Sequence, residues 1–98
     1  MTTTRQWKVD LVLVEDDGTT RACAKLATDD GTITGYGTAH CSPQDVDVPR
    51  IGDELAAARA MRSVARQLMR EADSDLEAVG AGPGGPPGPG YGWPYTTP

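Results

Sequence analysis

Three stretches near the N-terminus alternate apolar and polar residues with a period of two. In Gln6 to Val14, Trp7, Val9, Leu11 and Leu13 share one parity, and Lys8, Asp10, Val12 and Val14 share the other. Thr19 to Thr28 places Ala22, Ala24 and Leu26 on one side and Arg21, Cys23 and Lys25 on the other. Thr32 to Cys41 places Ile33, Gly35, Gly37, Ala39 and Cys41 on one side, opposite Thr32, Thr34, Tyr36, Thr38 and His40. Alternation with β-branched and aromatic residues predicts strands. The connections Glu15-Asp16-Asp17-Gly18 and Asp29-Asp30-Gly31 carry Asp-Gly turn chemistry, so the strands form an antiparallel meander.

After a loop of Pro and Asp from Ser42 to Pro49, the period changes. Leu55, Ala58, Met61, Ala65, Leu68, Ala72, Leu76 and Val79 recur at spacings of three and four, which predicts one long helix from about Asp53 to Val79. Asp53 and Glu54 suit the positive end of that helix, and Gly80 suits its stop. The expected fold class is α+β, with a three-stranded antiparallel sheet followed by one C-terminal helix. Leu55, Leu68 and Leu76 are expected to pack against Leu26, Ile33 and Ala39. Gly35 and Gly37 weaken a strand, and close approach of the helix backbone would account for both.

Composition changes the picture at the C-terminus. Residues 80–98 hold seven Gly and six Pro, without charge. They read as a disordered tail beyond a domain spanning residues 6–79. Of the 98 residues, nine are basic and fourteen acidic, giving a net charge of −5, which on average repels polyanions. No apolar run reaches the roughly 18 residues of a membrane span, and no signal-peptide core follows Met1, so a cytoplasmic location is expected.

The runs Gly31-Thr32-Ile33-Thr34-Gly35-Tyr36-Gly37-Thr38-Ala39 and Asp47-Val48-Pro49-Arg50-Ile51-Gly52-Asp53-Glu54-Leu55-Ala56-Ala57-Ala58-Arg59-Ala60 carry a resemblance. They look like a family of small actinobacterial proteins of unknown function, often called dsRBD-fold-containing proteins. The resemblance implies a β-β-β-α fold like that of a double-stranded-RNA-binding domain, and no known activity. RNA-binding members of that fold use a first helix, the loop after strand one, and lysines at the start of the last helix. Here only six residues precede Trp7, the loop is Glu15-Asp16-Asp17-Gly18, and the helix opens with Asp53-Glu54.

Candidate chemistry is sparse. Arg59, Arg62, Arg66 and Arg70 form one basic stripe at helical spacing. The stripe is either a solvated helix face or a docking face for an acidic partner or nucleic acid. His40 is the only histidine, and strand alternation turns it away from Cys41; Cys23 is also out of phase with Cys41. A zinc site or catalytic base therefore lacks companions. Asp45, Asp47, Asp53 and Glu54 are a carboxylate group suited to helix capping more than to a cation. Tyr91, Trp93 and Tyr95 alternate with Gly and Pro in the tail, as either incidental aromatics or anchors for a partner groove. No metal, cofactor or catalytic group is expected. The expected function is a non-catalytic interaction or regulatory module, docking a protein partner or associating with itself as a homodimer. Duplex RNA binding through the arginine stripe is the alternative. Deleting residues 80–98 is expected to leave the thermal melting midpoint nearly unchanged, because a segment without native contacts adds little stability. A drop of many degrees would mean that Trp93 folds back and packs on the sheet.

Overall fold

A computed structural model describes residues 1–42, 46 and 48–80. Three strands, β1 (Val9–Asp16), β2 (Thr19–Thr28) and β3 (Gly31–His40), precede one helix, α1 (Pro49–Ala78). The sheet order is β1-β2-β3, and both pairings are antiparallel. Two units are described separately: Met1–Gln67, with the sheet and the N-terminal part of α1, and the stretch from Leu68 onward, where α1 continues.

The turns form for local reasons. Asp17 and Gly18 adopt φ of +50° and +76°, the left-handed pair a two-residue hairpin demands. Register then runs unbroken from Asp16↔Thr19 to Val9↔Leu26. In the second turn the Thr28 hydroxyl accepts from the Asp30 amide at 3.2 Å and donates to the Gly31 carbonyl at 3.2 Å. The Cys41 amide donates to the Gly18 carbonyl at 2.8 Å, tying the end of β3 to the first turn.

α1 starts one turn before the expected Asp53, at Pro49. Proline suits a first helical position because its missing N–H would be unsatisfied there anyway. The Val48 carbonyl accepts from the Ile51 amide at 2.9 Å, which begins the ladder. The helix ends with Gly80 at φ +78°, its amide donating to the Glu77 carbonyl at 3.0 Å, a left-handed stop.

The core lies between α1 and the two later strands. Its buried residues are Ala22, Ala24, Leu26, Ile33, Ala39, Ala56, Ala60 and Val64, with Thr20 as the buried polar residue. The parities expected for β2 and β3 hold, with alternate residues buried along both strands. The expected helix stripe does not hold. Leu55 is 45% exposed, and Ala58, Met61, Ala65, Ala72 and Val79 are exposed, while Leu68 and Leu76 are half-buried in the second unit. The face that meets the sheet is Gly52, Ala56, Ala60 and Val64, four residues apart along one ridge.

Close approach selects that ridge. A Cβ on Gly35 would sit 2.8 Å from the Val64 Cγ2 and would also strike the Ala60 carbonyl oxygen. A Cβ on Gly37 would strike the Ala56 carbonyl oxygen and the Ala60 nitrogen. Gly52 rests on Thr20, where an added Cβ would lie 2.9 Å from the Thr20 Oγ1. In β2, Ala22 lies beside Gly37 and Ala24 beside Gly35. These small residues leave a shallow trough, and only a ridge of small residues lets a helix backbone enter it. Leucine and methionine at positions 55 and 61 are too large for it and stand outside.

Substitution of Gly35 or Gly37 by Ala is expected to destabilise by at least about 1–3 kcal/mol, the usual cost of overpacking. Leu55→Ala is expected to fall within about 0.5 kcal/mol of the parent, as for other exposed positions. Urea denaturation of the three variants checks the assignment, and a large loss at Leu55 alongside none at the glycines would reverse it.

Candidate interaction surface

β1 is the exception to the alternation. All eight of its residues are exposed, on both faces. By register, Val9, Leu11 and Leu13 stand beside Leu26, Ala24 and Ala22, on the helix side of the sheet. α1 lies over β3, so it leaves these three residues and Trp7 exposed. On the opposite face, which no helix covers, Val12, Cys23 and Tyr36 form one row across the strands. Val12 is 60% exposed, Val14 57% and Tyr36 71%. Asp10 and Lys25 sit side by side as the next row of that face. This is the open face that the strand pattern predicts, with Val12, Val14, Tyr36 and the β3 threonines on it.

The two edges of the sheet are treated differently. A two-residue turn makes Asp16–Thr19 a hydrogen-bonded pair, and such pairs alternate along the ladder. It follows that Arg21, Cys23 and Lys25 direct their main-chain groups to β1, and Thr20, Ala22, Ala24 and Leu26 direct theirs to β3. On β3 the residues left facing outward are Thr32, Thr34, Tyr36 and Thr38. The Arg59 Nη1 donates to the Thr38 carbonyl at 2.7 Å, and the Gln67 Nε2 donates to the Thr34 carbonyl at 2.7 Å. α1 thus caps the β3 edge with two side chains. Among the described residues no hydrogen bond caps the outward groups of β1.

The arginine stripe is therefore divided in its duties. Arg59 serves the fold through Thr38, while Arg62, Arg66 and Arg70 are exposed. Gln67, which no sequence pattern singles out, also bonds the Ser63 carbonyl and hydroxyl, both at 3.3 Å. A polar residue three to four positions from small core residues was the one signal for it, and that signal is common to most amphipathic helices.

Of the remaining candidates, His40 and Cys41 line one cleft at the start of α1. His40 Nδ1 is hydrogen-bonded to the Thr19 hydroxyl across the strands at 2.8 Å. Cys23 lies on the open face, and Cys41 follows the helix-side parity, donating weakly to the Ser42 carbonyl at 3.5 Å. Both thiols are half-buried, and neither forms a disulfide. Glu54 forms an exposed ion pair with Arg50 at 3.5 Å. Asp45 and Asp47 lie outside the described residues, as do Tyr91, Trp93 and Tyr95. Among the described residues no group of three His, Cys, Asp or Glu could hold a metal ion. A cleft of about 270 Å³ opens at the start of α1, between Glu15, Thr20, Cys41, Val48 and Ile51. His40 lines it as well, and its volume is below the range of roughly 300–1,000 Å³ usual for ligand pockets. No described helix is long and apolar enough to cross a membrane.

Residues 5–84 match the sequence profile of the Rv2632c-like family. The uncharacterized protein MT1780 of Mycobacterium tuberculosis is 39% identical over 75 residues, covering 76% of this chain and 80% of that protein. The uncharacterized protein Rv2632c of Mycobacterium tuberculosis is 42% identical over 71 residues, covering 72% of this chain and 76% of that one. The crystal structure of Rv2632c superposes with a TM-score of 0.76 at 38% identity, covering 84% of this chain and 98% of that structure.

Replacing Gln67 by Leu is expected to cost about 0.5–1.5 kcal/mol, the net value of a neutral hydrogen bond. It should also raise amide exchange along β3 more than along β2. Hydrogen-exchange mass spectrometry checks this, and equal protection in parent and variant would remove Gln67 as an edge cap.

Proposed function

The chain belongs to the Rv2632c-like family, and we propose that it is a non-catalytic interaction module whose binding surface is β1 with the adjoining open face of the sheet. The observation that supports this is one strand exposed on both faces while the other edge of the same sheet is capped. A strand bare in this way is a standing template for another chain, and proteins ordinarily shield it. The partner is a protein and not a nucleic acid. The chain carries a net charge of −5, and one of the four stripe arginines is committed to the Thr38 carbonyl. The β-β-β-α order resembles that of double-stranded-RNA-binding domains, but the hairpin after β1 is Glu15-Asp16-Asp17, which repels phosphate. Glu15, His40 and Cys41 line the cleft at the start of α1, and the His40 Nδ1 is engaged by the Thr19 hydroxyl at 2.8 Å, which supports a non-catalytic reading.

The test is crosslinking in the native cell with a tagged full-length chain. The parent is expected to give defined crosslinked species that resist nuclease. Val12→Asp with Val14→Asp should remove them without unfolding the domain, because both side chains are exposed. If those species persist, and Arg62→Glu with Arg66→Glu removes a nuclease-sensitive species instead, RNA binding through the helix takes the place of this reading.

A further inference from the structure

Among the described residues the core holds one polar side chain, Thr20, at 3% exposure. The neighbouring Thr19 hydroxyl bonds His40, and the Thr28 hydroxyl bonds the Asp30 amide and the Gly31 carbonyl. Among the described residues no hydrogen bond engages the Thr20 hydroxyl. A hydroxyl left unpaired in a core is unfavourable, and valine would fill nearly the same space without that cost. No side-chain oxygen of the described residues is both unpartnered and sealed from solvent. The Thr20 Oγ1 therefore keeps a small accessible surface, and it opens into the cleft at the start of α1, which Thr20 lines.

The floor of the cleft is the row Glu15, Thr20 and Ala39, cross-strand neighbours on the helix side of the sheet. Val48, Ile51 and Gly52 close it from above, with Gly52 resting on Thr20. A cavity of about 150 Å³ takes a benzene ring, so 270 Å³ admits a compact molecule of about six heavy atoms. Three groups lining it can ionise: Glu15, His40 and Cys41. The His40 Nδ1 is tied to the Thr19 hydroxyl, and the Cys41 thiol is turned to the Ser42 carbonyl. The Glu15 carboxylate is exposed, and Glu15 and Thr20 form a non-hydrogen-bonded pair, whose Cβ atoms stand about 4.5–5.5 Å apart. One donor lying between these two side chains reaches both. The helix start does not call for an anion in its place. Pro49 has no amide N–H, and the Ile51 and Gly52 amides both point at the Val48 carbonyl, at 2.9 and 3.5 Å.

We propose that this cleft binds a small aliphatic amine as its ammonium ion. The ammonium donates to the Thr20 Oγ1 and to the Glu15 carboxylate. The hydrocarbon lies against Ala39, Val48 and Ile51, and the net charge of −5 favours the approach of a cation. The buried hydroxyl, the carboxylate beside it and the apolar walls each match one part of such a molecule. The site lies apart from Val12 and Val14 on the open face, and it does not depend on the interaction reading.

The experiment titrates the full chain with three probes that share one branched hydrocarbon: 3-methylbutylamine, 3-methylbutanol and 3-methylbutanoate. Amide shifts are followed by NMR at about pH 8, where an alkylamine stays protonated as lysine does. The amine is expected to move the Thr20, Cys41, Ile51 and Gly52 amides and to saturate at about 1 mM, a fair affinity for so few atoms. The alcohol should bind about tenfold more weakly, and the carboxylate should leave these amides in place. Glu15→Gln, at an exposed position, should remove the preference for amine over alcohol. Thr20→Val should weaken the amine about tenfold, whereas Thr20→Ser, which keeps the hydroxyl, should hold most of the affinity. The dispersion of the same spectra shows that each variant is folded. No saturable shift at about 50 mM amine, far above that affinity, overturns the proposal, since water alone then satisfies Thr20. Equal binding of all three probes overturns it, because the cleft is then only an apolar hollow. Tighter binding of the carboxylate overturns the charge assignment. Parent-like affinity in both Glu15→Gln and Thr20→Val overturns the site.

Discussion

The near-contact of a helix backbone with two strand glycines sets the terms for everything else in this structure. Gly35 and Gly37 put no side chain of their own between β3 and α1, so the Ala56 and Ala60 backbone comes down onto the sheet at those two positions. Dispersion attraction falls off steeply with separation, so a close interface of small residues can hold as well as a looser one of large residues. The requirement for small partners propagates outward. It chooses the Gly52-Ala56-Ala60-Val64 ridge over the larger apolar residues, and it demands Ala22 and Ala24 beside the glycines on β2.

A helix held that close to β3 cannot also cover β1. The two elements run in opposite senses, with Gly37 under Ala56 and Gly35 under Val64. Eight helical residues at about 1.5 Å each match four strand residues at about 3.3 Å. That match is what lets Arg59 and Gln67, eight positions apart, reach Thr38 and Thr34, four positions apart. The same contact that seals one edge of the sheet therefore leaves the other bare among the described residues. The apolar residues of β1 are the counterpart of this asymmetry, exposed along a strand that holds its place only through β2.

For a chain of this size the consequence is a thin core. A domain of some 60–80 residues buries only about 60% of the surface its unfolded chain exposes. Among the described residues no large side chain is fully buried, and the core rests mostly on alanines. Apolar surface on β1 and on the open face is thus a large part of what the chain has available to bury. Burial of that surface by another chain is what the proposed interaction role would supply.

Much of this was legible in the residues alone. The Asp17-Gly18 turn, the parities of β2 and β3, and the need for close approach at Gly35 and Gly37 all follow from local rules, because backbone conformation and alternation act over a few positions. The open face bearing Val12, Val14 and Tyr36 follows from the same alternation. The helix face did not follow. Periodicity ranks residues by hydrophobicity, and it favoured Leu55 and Met61, while the trough selects by size and by the distance between two backbones. Nothing local in Gln67 marks it as a cap for a strand distant in sequence, and nothing in β1 tells that its helix-side residues will go uncovered. The sequence by itself determined which segments become strands and helix and which way their side chains alternate. Only the tertiary structure decided which helix ridge meets the sheet and which sheet edge stays open, because both depend on how far a helix of fixed width can reach once glycines have drawn it against β3.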